Sequence, residues 1–167
     1  MNKLFFLLLA PVLFFSCRPT PASGPVDKEA AKQQIVSVLD KLHAAESARD
    51  INAYLAMLSD SGLYCGTDPN ELWDKADLQK TMSQAMTDTS LTTNLNIDKR
   101  VLMVADDCMS ALAIEQFFMA DMFGPNLPVR SVKHLVKTQN GWIIDFLSWS
   151  LIPRNEDIGK LEKALEE

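Results

Sequence analysis

Two acidic residues in unusual surroundings are the first candidates for chemistry. Glu115 is the single charged residue in the apolar segment 111–118 (ALAIEQFF), and an unpaired carboxylate is very costly to bury. Asp68 follows a strand-like segment, four residues after Tyr64. In one interpretation Asp68 or Glu115 is a general base that removes a proton beside a carbonyl group. Tyr64 would then donate a hydrogen bond to the developing oxyanion.

Each of these residues also has a purely structural interpretation. Segment 66–71 (GTDPNE) is typical of a turn, in which Asp68 accepts hydrogen bonds from backbone N–H groups and Pro69 fixes the bend. Strand alternation places Phe117 on the same face as Glu115, and Arg130 on the following strand is the expected cationic partner of Glu115. A Glu115–Arg130 pair would either serve the fold or face a ligand, and both alternatives stay open.

The two histidines offer weaker candidates. His43 lies at the edge of the apolar stripe of a predicted helix, where it would reach a ligand or hydrogen-bond a neighbouring helix. His134 and Asp145 become diagonal neighbours if Asn140 and Gly141 form a two-residue turn, which would place His134 opposite Leu147. No nucleophile motif accompanies that pair, and the sequence predicts no metal site and no cofactor.

The composition and net charge of the chain indicate which classes of partner it could bind. The 167 residues include 16 lysines and arginines against 22 aspartates and glutamates, which gives a net charge of −6. A nucleic-acid-binding surface needs a basic patch, so we expect no nucleic-acid partner. Aromatic residues such as Trp73 are numerous enough to line an apolar pocket as well as a core.

The N-terminal segment predicts export. Residues 4–15 form an uninterrupted apolar run after Lys3, too short to span a membrane but typical of a secretory signal. Ser16 and Cys17 after this run resemble the lipobox of bacterial lipoproteins, which implies cleavage before Cys17 and acylation of its thiol. The alternative is an ordinary signal peptide that contains a cysteine. We therefore expect a signal peptide at 1–16, a lipidated Cys17 opening a proline-rich tether at 17–26, and a location on the membrane of the bacterial cell envelope.

Local patterns predict an α+β domain over 27–155. Helices are expected at 28–49, 51–58 and 75–86, with Asp27, Asp50 and Asp74 as their N-caps. Strands are expected at 91–105, 109–122, 129–139 and 142–152, in an antiparallel meander of four or five strands with the helices on one face.

Three further expectations concern turns, thiols and the chain end. A turn at Asn140–Gly141 would hold both residues at positive φ. Cys65 and Cys108 are expected as buried free thiols. A short amphipathic helix within 156–167 is expected to turn its apolar side chains inward, namely Ile158, Leu161 and Leu165.

Several landmarks in order resemble the SnoaL-like branch of the nuclear transport factor 2-like superfamily over about residues 35–155. They include segments 50–58 (DINAYLAML) and 63–73 (LYCGTDPNELW), Glu115 within a strand, and segment 141–142. The resemblance implies a cystatin-like cone, in which a strongly curved antiparallel sheet wraps over N-terminal helices and leaves a pocket. The superfamily contains ketosteroid isomerases, dehydratases, polyketide cyclases and binding proteins without catalysis. Ser148 stands where the branch leads us to expect a histidine.

These features support one hypothesis, an enzyme as the alternative, and, as a third interpretation, a role in protein–protein contact. The hypothesis is an exported, lipid-anchored binding or accessory module without catalysis, which takes an apolar small molecule. The protein–protein role would use a homodimer with the exposed sheet face and the terminal helix as contacts, and pairing through the sheet is what the family resemblance implies. The alternative is a small isomerase, dehydratase or cyclase-like enzyme acting on an apolar carbonyl compound, with Asp68 or Glu115 as base. The expected ligand-binding residues are His43, Tyr64, Trp73, Glu115, Phe117 and Arg130.

Overall fold

Three aspartates begin the three helices that pack against the sheet. The computed structural model describes residues 27–89 and 95–166; the predicted signal peptide, Cys17, the tether and the start of the strand expected at 91 lie outside them. Helix α1 spans Lys28–Ser47, α2 spans Ile51–Leu55 and α3 spans Lys75–Thr87. The side chains of Asp27, Asp50 and Asp74 accept hydrogen bonds from backbone N–H groups of the first turns, so all three predicted caps are confirmed.

The second helix is shorter than expected, because the chain joins the sheet earlier. Strand β1 spans Leu58–Cys65 and runs parallel to the last strand, with Leu58 opposite Ile144. The backbone N–H of Ile144 donates to the carbonyl oxygen of Met57 at 2.9 Å. Leu58 is fully buried. Sheet pairing therefore overrides the local helical pattern that predicted a helix to residue 58.

Six strands form one sheet in the order β2-β1-β6-β5-β4-β3. Strand β2 is Leu72–Trp73, β3 is Asn96–Val104, β4 is Ser110–Phe118, β5 is Pro128–Thr138 and β6 is Gly141–Leu151. The last four strands form the predicted antiparallel meander. This four-strand meander is part of a larger sheet, because β1 and β2 extend the sheet beyond β6. The short helix α4, Ala120–Phe123, follows β4 where a longer strand was predicted.

The β5–β6 turn closes one residue earlier than the sequence predicts. Thr138 pairs with Gly141, so the two turn residues are Gln139 and Asn140. The Thr138 hydroxyl donates to the carbonyl oxygen of Gly141 and accepts from the N–H of Asn140, which fixes this register. Gly141 has a φ of +114°, whereas Asn140 is outside the left-handed region. A register shift beyond His134 then places this residue opposite Phe146 rather than Leu147.

The core lies between the helices and one face of the sheet. The apolar stripe of α1 is buried as expected, with Ile35, Leu39 and Leu42 at 1% exposure or less. The described residues thus form an α+β layer of helices on a curved, unclosed sheet, and the predicted fold class is confirmed.

The C-terminal helix differs from its prediction in orientation. The expected helix is α5, Ile158–Leu165, and a single 3-10 turn at Asn155–Asp157 precedes it. Its apolar side chains point outward, with Ile158 49%, Leu161 43% and Leu165 88% exposed. The inward orientation is therefore wrong, because periodicity identifies an apolar face but not what covers it. Within 27–89 and 95–166, no helix is both long and apolar enough to cross a membrane.

Both described cysteines are free thiols. Cys108 is buried in the β3–β4 turn with a φ of +52°, whereas Cys65 is only half-buried. Burial raises the pKa of the Cys65 thiol. The expected burial holds for Cys108 alone.

Candidate functional site

Glu115 lies at the centre of a buried cluster of charged side chains. Its exposed fraction is 0%, and its carboxylate contacts three nitrogen donors. Lys133 Nζ is 2.6 Å and His43 Nε2 is 2.8 Å from Oε2, while Arg100 Nε is 2.7 Å from Oε1. These distances are those of charge-assisted hydrogen bonds, so the buried carboxylate is fully partnered.

Strand register explains how these groups meet. Glu115 on β4 stands opposite Arg100 on β3 and opposite Ser131 on β5. Lys133 is two residues beyond Ser131, and therefore points to the same face of the sheet. Its Nζ also donates to the Ser131 hydroxyl at 2.7 Å. Arg100 continues to helix α1, where its Nη1 donates to Asp40 at 2.8 Å.

The electrostatics of the cluster favour an ionised Glu115. Burial opposes ionisation, but the His43 hydrogen bond and the positive charge of Lys133 outweigh it and hold the pKa of Glu115 well below its ordinary value. Burial alone would lower the pKa of His43, because it disfavours the charged imidazolium. The nearby carboxylates of Glu115 and Glu46 outweigh this effect and raise the pKa above 6.5. Burial lowers the pKa of Lys133, with Glu115 opposing that effect.

A second carboxylate, Glu46, belongs to the same region and was missed by the sequence analysis. It lies on α1, three residues after His43, and is only 6% exposed. Its Oε2 is 3.8 Å from His43 Nδ1, and this nitrogen has no hydrogen-bond partner among the described residues. Residue 46 falls on the apolar stripe of positions 35, 39 and 42. A carboxylate on the apolar stripe of a helix needs compensation as much as one in an apolar strand, so the sequence pattern marks Glu46 as well as Glu115.

Tyr54 is buried near Glu46. Its hydroxyl has no hydrogen-bond partner among the described residues. Burial raises the pKa of Tyr54 well above its ordinary value, and the negative charge of Glu46 adds to this. The region around Glu46 therefore contains two buried polar atoms, His43 Nδ1 and the Tyr54 hydroxyl oxygen, that have no hydrogen-bond partner among the described residues.

An apolar cavity of about 170 Å³ adjoins Glu46. It lies among α3, α4 and the adjacent strands, and Met122, 46% exposed, stands at its open side. A cavity of about 150 Å³ with apolar walls is large enough to hold a benzene ring. The main apolar side chains of the wall are Trp73, Met82, Met86, Met122, Phe123 and Trp149.

The structure separates the residues that the sequence analysis expected to act together. Trp73 lines the cavity, while His43 and Glu115 lie in the charged cluster. Tyr64 is fully buried, and its hydroxyl donates to the carbonyl oxygens of Ser59 at 2.7 Å and Ile144 at 3.3 Å. Burial, together with the charge of Asp145, raises the pKa of Tyr64 to about 12. A side chain at Gly62 would collide with this hydroxyl, so a glycine is required there.

Asp68 lies in a turn, as the structural interpretation of segment 66–71 predicts. It is exposed, its carboxylate accepts from the N–H of Asn70 at 2.9 Å, and its own N–H donates to Glu71. Phe117 is buried on the same face as Glu115, opposite Val129 of the cavity wall.

The expected pairing of Glu115 with Arg130 is wrong. Arg130 is opposite Gln116, and the two side chains therefore lie on the other face of the sheet from Glu115. Arg130 is exposed, and its Nη2 is 3.5 Å from the Gln116 side-chain oxygen. Lys133 and Arg100 take the place that was assigned to Arg130.

His134 and Asp145 do form a pair, with Nδ1 2.6 Å from Oδ1. Both are about one-third exposed. His134 stands opposite Leu112, whose neighbours on β4 point into the core, so it lies on the outer face of the sheet. Across residues 27–89 and 95–166, no three histidine, cysteine, aspartate or glutamate side chains are grouped to hold a metal ion.

Comparison with known proteins agrees with this architecture. A nuclear transport factor 2-like protein of unknown function from Pseudomonas putida has 16% identity and a TM-score of 0.65, over 77% of this chain and 91% of that chain. A cystatin-like fold protein from Burkholderia xenovorans has 15% identity and a TM-score of 0.62, over 75% and 94%. A protein of unknown function with a cystatin-like fold from Nostoc punctiforme has 14% identity and a TM-score of 0.58, over 73% and 91%.

These similarities are to the fold, and the predicted cystatin-like cone is confirmed by them. No curated protein gives a significant match to the chain. The family model of the SnoaL-like domain matches residues 35–154, which is most of the described chain. The chain therefore belongs to the SnoaL-like domain family.

Proposed function

We propose that this chain is a small-molecule-binding module that does not turn its ligand over, and that the cavity beside Glu46 is its binding site. The observation that carries the proposal is the cavity itself, about 170 Å³ of apolar space with a nearly buried carboxylate in its wall. Ligand sites in proteins are typically concave and apolar, with a small number of placed polar groups.

The walls suit a ligand of variable shape. Four methionines line the cavity, namely Met82, Met86, Met119 and Met122. Methionine is unbranched and polarisable, so it adapts its rotamers to irregular partners and contacts aromatic rings favourably. Two tryptophans, Trp73 and Trp149, provide flat apolar surface beside them.

The candidate catalytic residues support binding without turnover. Glu115 is a weak base, because its neighbours hold its pKa well below the ordinary value. The Tyr64 hydroxyl already donates to backbone carbonyl oxygens, and Asp68 is exposed in a turn. None of the three lines the cavity.

The alternative is an isomerase, dehydratase or cyclase-like enzyme acting on an apolar carbonyl compound. One observation favours it: Glu46 is a carboxylate in an apolar cavity, 3.8 Å from the imidazole of His43. In that case Glu46, rather than Asp68 or Glu115, would take the proton. Turnover of carbonyl relatives of a bound ligand, abolished in Glu46→Gln, would favour the enzyme over the binding module.

Native mass spectrometry of the full chain, extracted gently from its source cells, tests the binding site. Ala85 lines the cavity from an exposed position and Gln84 beside it does not line it, so Ala85→Trp is designed to block the cavity whereas Gln84→Trp is a matched control. We expect a co-purifying small molecule on the unmodified protein and on Gln84→Trp, and its loss from Ala85→Trp. A ligand retained by Ala85→Trp, or a ligand-free mass for the unmodified chain, would contradict the proposed site.

We further propose that the module is held at the membrane of the bacterial cell envelope by a lipid on Cys17. This is supported by the apolar segment 4–15, the Ser16-Cys17 pair and the proline-rich residues that follow. A homodimer through the sheet is proposed as well. Its support is the outer face, where apolar side chains are exposed at Val101, Met103 and Leu112.

A further inference from the structure

Glu46 has fewer partners than its burial requires. Its side chain is 8% exposed, and the nearest cationic side chain among the described residues is His43 at 3.8 Å, beyond ordinary hydrogen-bond length. The Nδ1 atom of His43 makes no hydrogen bond within the described part of the chain either. A buried carboxylate ordinarily has charged or hydrogen-bonding partners at close range, and here its open side is the cavity.

The other cations of the cluster are already engaged. Lys133 donates to Glu115 and Ser131, and Arg100 donates to Glu115 and Asp40. Three carboxylates, those of Asp40, Glu46 and Glu115, therefore face two cations, Lys133 and Arg100. One negative charge is in excess whenever His43 is neutral, and Glu46 carries it at the cavity wall.

The cavity wall has charge of a single sign. Its charged lining residues in the described chain are Glu46 and Glu71, and neither lysine nor arginine lines it. Glu71 is committed to its own loop, where it accepts from the N–H of Asp68 at 2.9 Å. In an apolar enclosure such a wall attracts a cation and repels an anion more strongly than it would in water.

We infer that the cavity selects a ligand with a protonated amine on a small apolar body, with the ammonium group at Glu46 and the apolar body against Met82, Met86 and Trp149. This inference rests on the proposed function, and specifies the chemical class of its ligand. An ammonium group supplies a positive charge and up to three donors to the Glu46 carboxylate, whose nearest cationic side chain, His43, is beyond hydrogen-bond length. A carboxylate ligand would meet like charge, and an alcohol would supply one donor without charge.

Three probes with one phenyl group separate these cases: 2-phenylethylamine, 2-phenylethanol and 3-phenylpropanoate. Calorimetric titration of the full chain in mild detergent at neutral pH gives their affinities. We expect the amine to bind about tenfold more tightly than the alcohol, as a charge-assisted hydrogen bond implies. The carboxylate should bind most weakly. In Glu46→Gln the amine should lose its advantage while the alcohol binds as before, which also shows that the variant is folded.

Glu71→Gln is the matched comparison, because it removes the other acidic residue of the wall, whose carboxylate is engaged in its own loop, and it should weaken the preference for the amine much less than Glu46→Gln does. Equal affinities for amine and alcohol would overturn the inference and leave the proposed binding function standing. Loss of the preference in Glu71→Gln instead of Glu46→Gln would overturn the assignment of the head group. Failure of all three probes to bind would overturn the amine class, while the Ala85→Trp comparison decides separately whether the cavity holds another ligand.

Discussion

Lys133 and Glu115 form a salt bridge of 2.6 Å in which neither side chain reaches solvent, at 1% and 0% exposure. The pair is completed by neighbours on both sides, since Arg100 and His43 donate to Glu115 and Lys133 also donates to Ser131. A buried charge pair offsets its desolvation cost only when its remaining hydrogen-bonding groups are satisfied, as they are here. The cluster therefore ties helix α1 and strands β3, β4 and β5 to one register.

Replacing Glu115 tests how much this cluster contributes to the stability of the fold. Glu115→Gln keeps the size of the side chain but leaves Lys133 buried without its counter-charge. We expect the free energy of unfolding to fall by about 3–5 kcal/mol, measured by urea denaturation. Arg130→Gln is the control, because Arg130 is exposed on the other face, and should change stability by no more than about 0.5 kcal/mol. Equal effects of the two substitutions would refute the pairing described here.

The same cluster predicts how stability depends on pH. The native pKa of Glu115 is lowered from 4.5, so its contribution is complete above 4.5 and is lost as the pH falls towards the lowered value. The native pKa of His43 is raised from 6.5, so its contribution is complete below 6.5 and is lost as the pH rises through the raised value. Urea denaturation across pH should show greatest stability between 4.5 and 6.5.

Two variants test which residue causes the loss of stability at each end of that pH range. Glu115→Gln should weaken the decline at acid pH, and His43→Gln should weaken the decline above 6.5. An acid limb that is unchanged in Glu115→Gln would show that other carboxylates cause it.

The sequence identifies Glu115 as an anomaly but does not identify its partners. A lone charge in an apolar strand must be compensated, and that argument needs only local sequence. Which cation compensates it depends on strand register, and shifting a strand by one residue moves every side chain to the other face. Arg130 and Lys133 are three residues apart, so they point to opposite faces, and the sequence did not distinguish them.

The helix caps and strand β1 also differ in whether local sequence is enough to predict them. Asp27, Asp50 and Asp74 cap helices through contacts within one turn, which explains why all three were predictable. Strand β1 reads LSDSGLYC and is strand-like in sequence only from Leu63 onward; its first half is a strand because β6 lies beside it. Local pattern carries no information about that parallel neighbour.

The two buried tyrosines should differ in how much stability is lost when their hydroxyl groups are removed. Tyr64→Phe removes the donor of a 2.7 Å hydrogen bond to the Ser59 carbonyl oxygen, and should cost about 1–3 kcal/mol of unfolding free energy. Tyr54→Phe removes a buried hydroxyl without a partner among the described residues, and should be neutral or stabilising. Urea denaturation of both variants checks this. A loss in Tyr54→Phe as large as that in Tyr64→Phe would indicate that the Tyr54 hydroxyl is bonded.

The proposed dimer predicts a specific sensitivity of the outer sheet face. Met103 and Leu112 are opposite each other on β3 and β4, and both are exposed. Replacing both with glutamate should convert a dimer to a monomer, measured by size-exclusion chromatography with light scattering at micromolar concentration. Leu165→Glu on α5 is the control, and should leave the dimer intact. A monomer in the unmodified protein would refute the proposal.

Lipidation of Cys17 predicts that a single sulfur-to-oxygen change releases the protein from the membrane. Cys17→Ser removes the thiol that would be acylated and changes none of the residues that the structure describes, 27–89 and 95–166. Stable anchoring needs long acyl chains, because each buried methylene contributes about 0.8 kcal/mol. The variant should therefore move from the detergent phase to the aqueous phase in a partitioning assay. Cys65→Ser, which changes a thiol within the domain, should partition as the unmodified protein does. Membrane fractionation that is equal in Cys17→Ser and the unmodified protein would show that the anchor lies elsewhere.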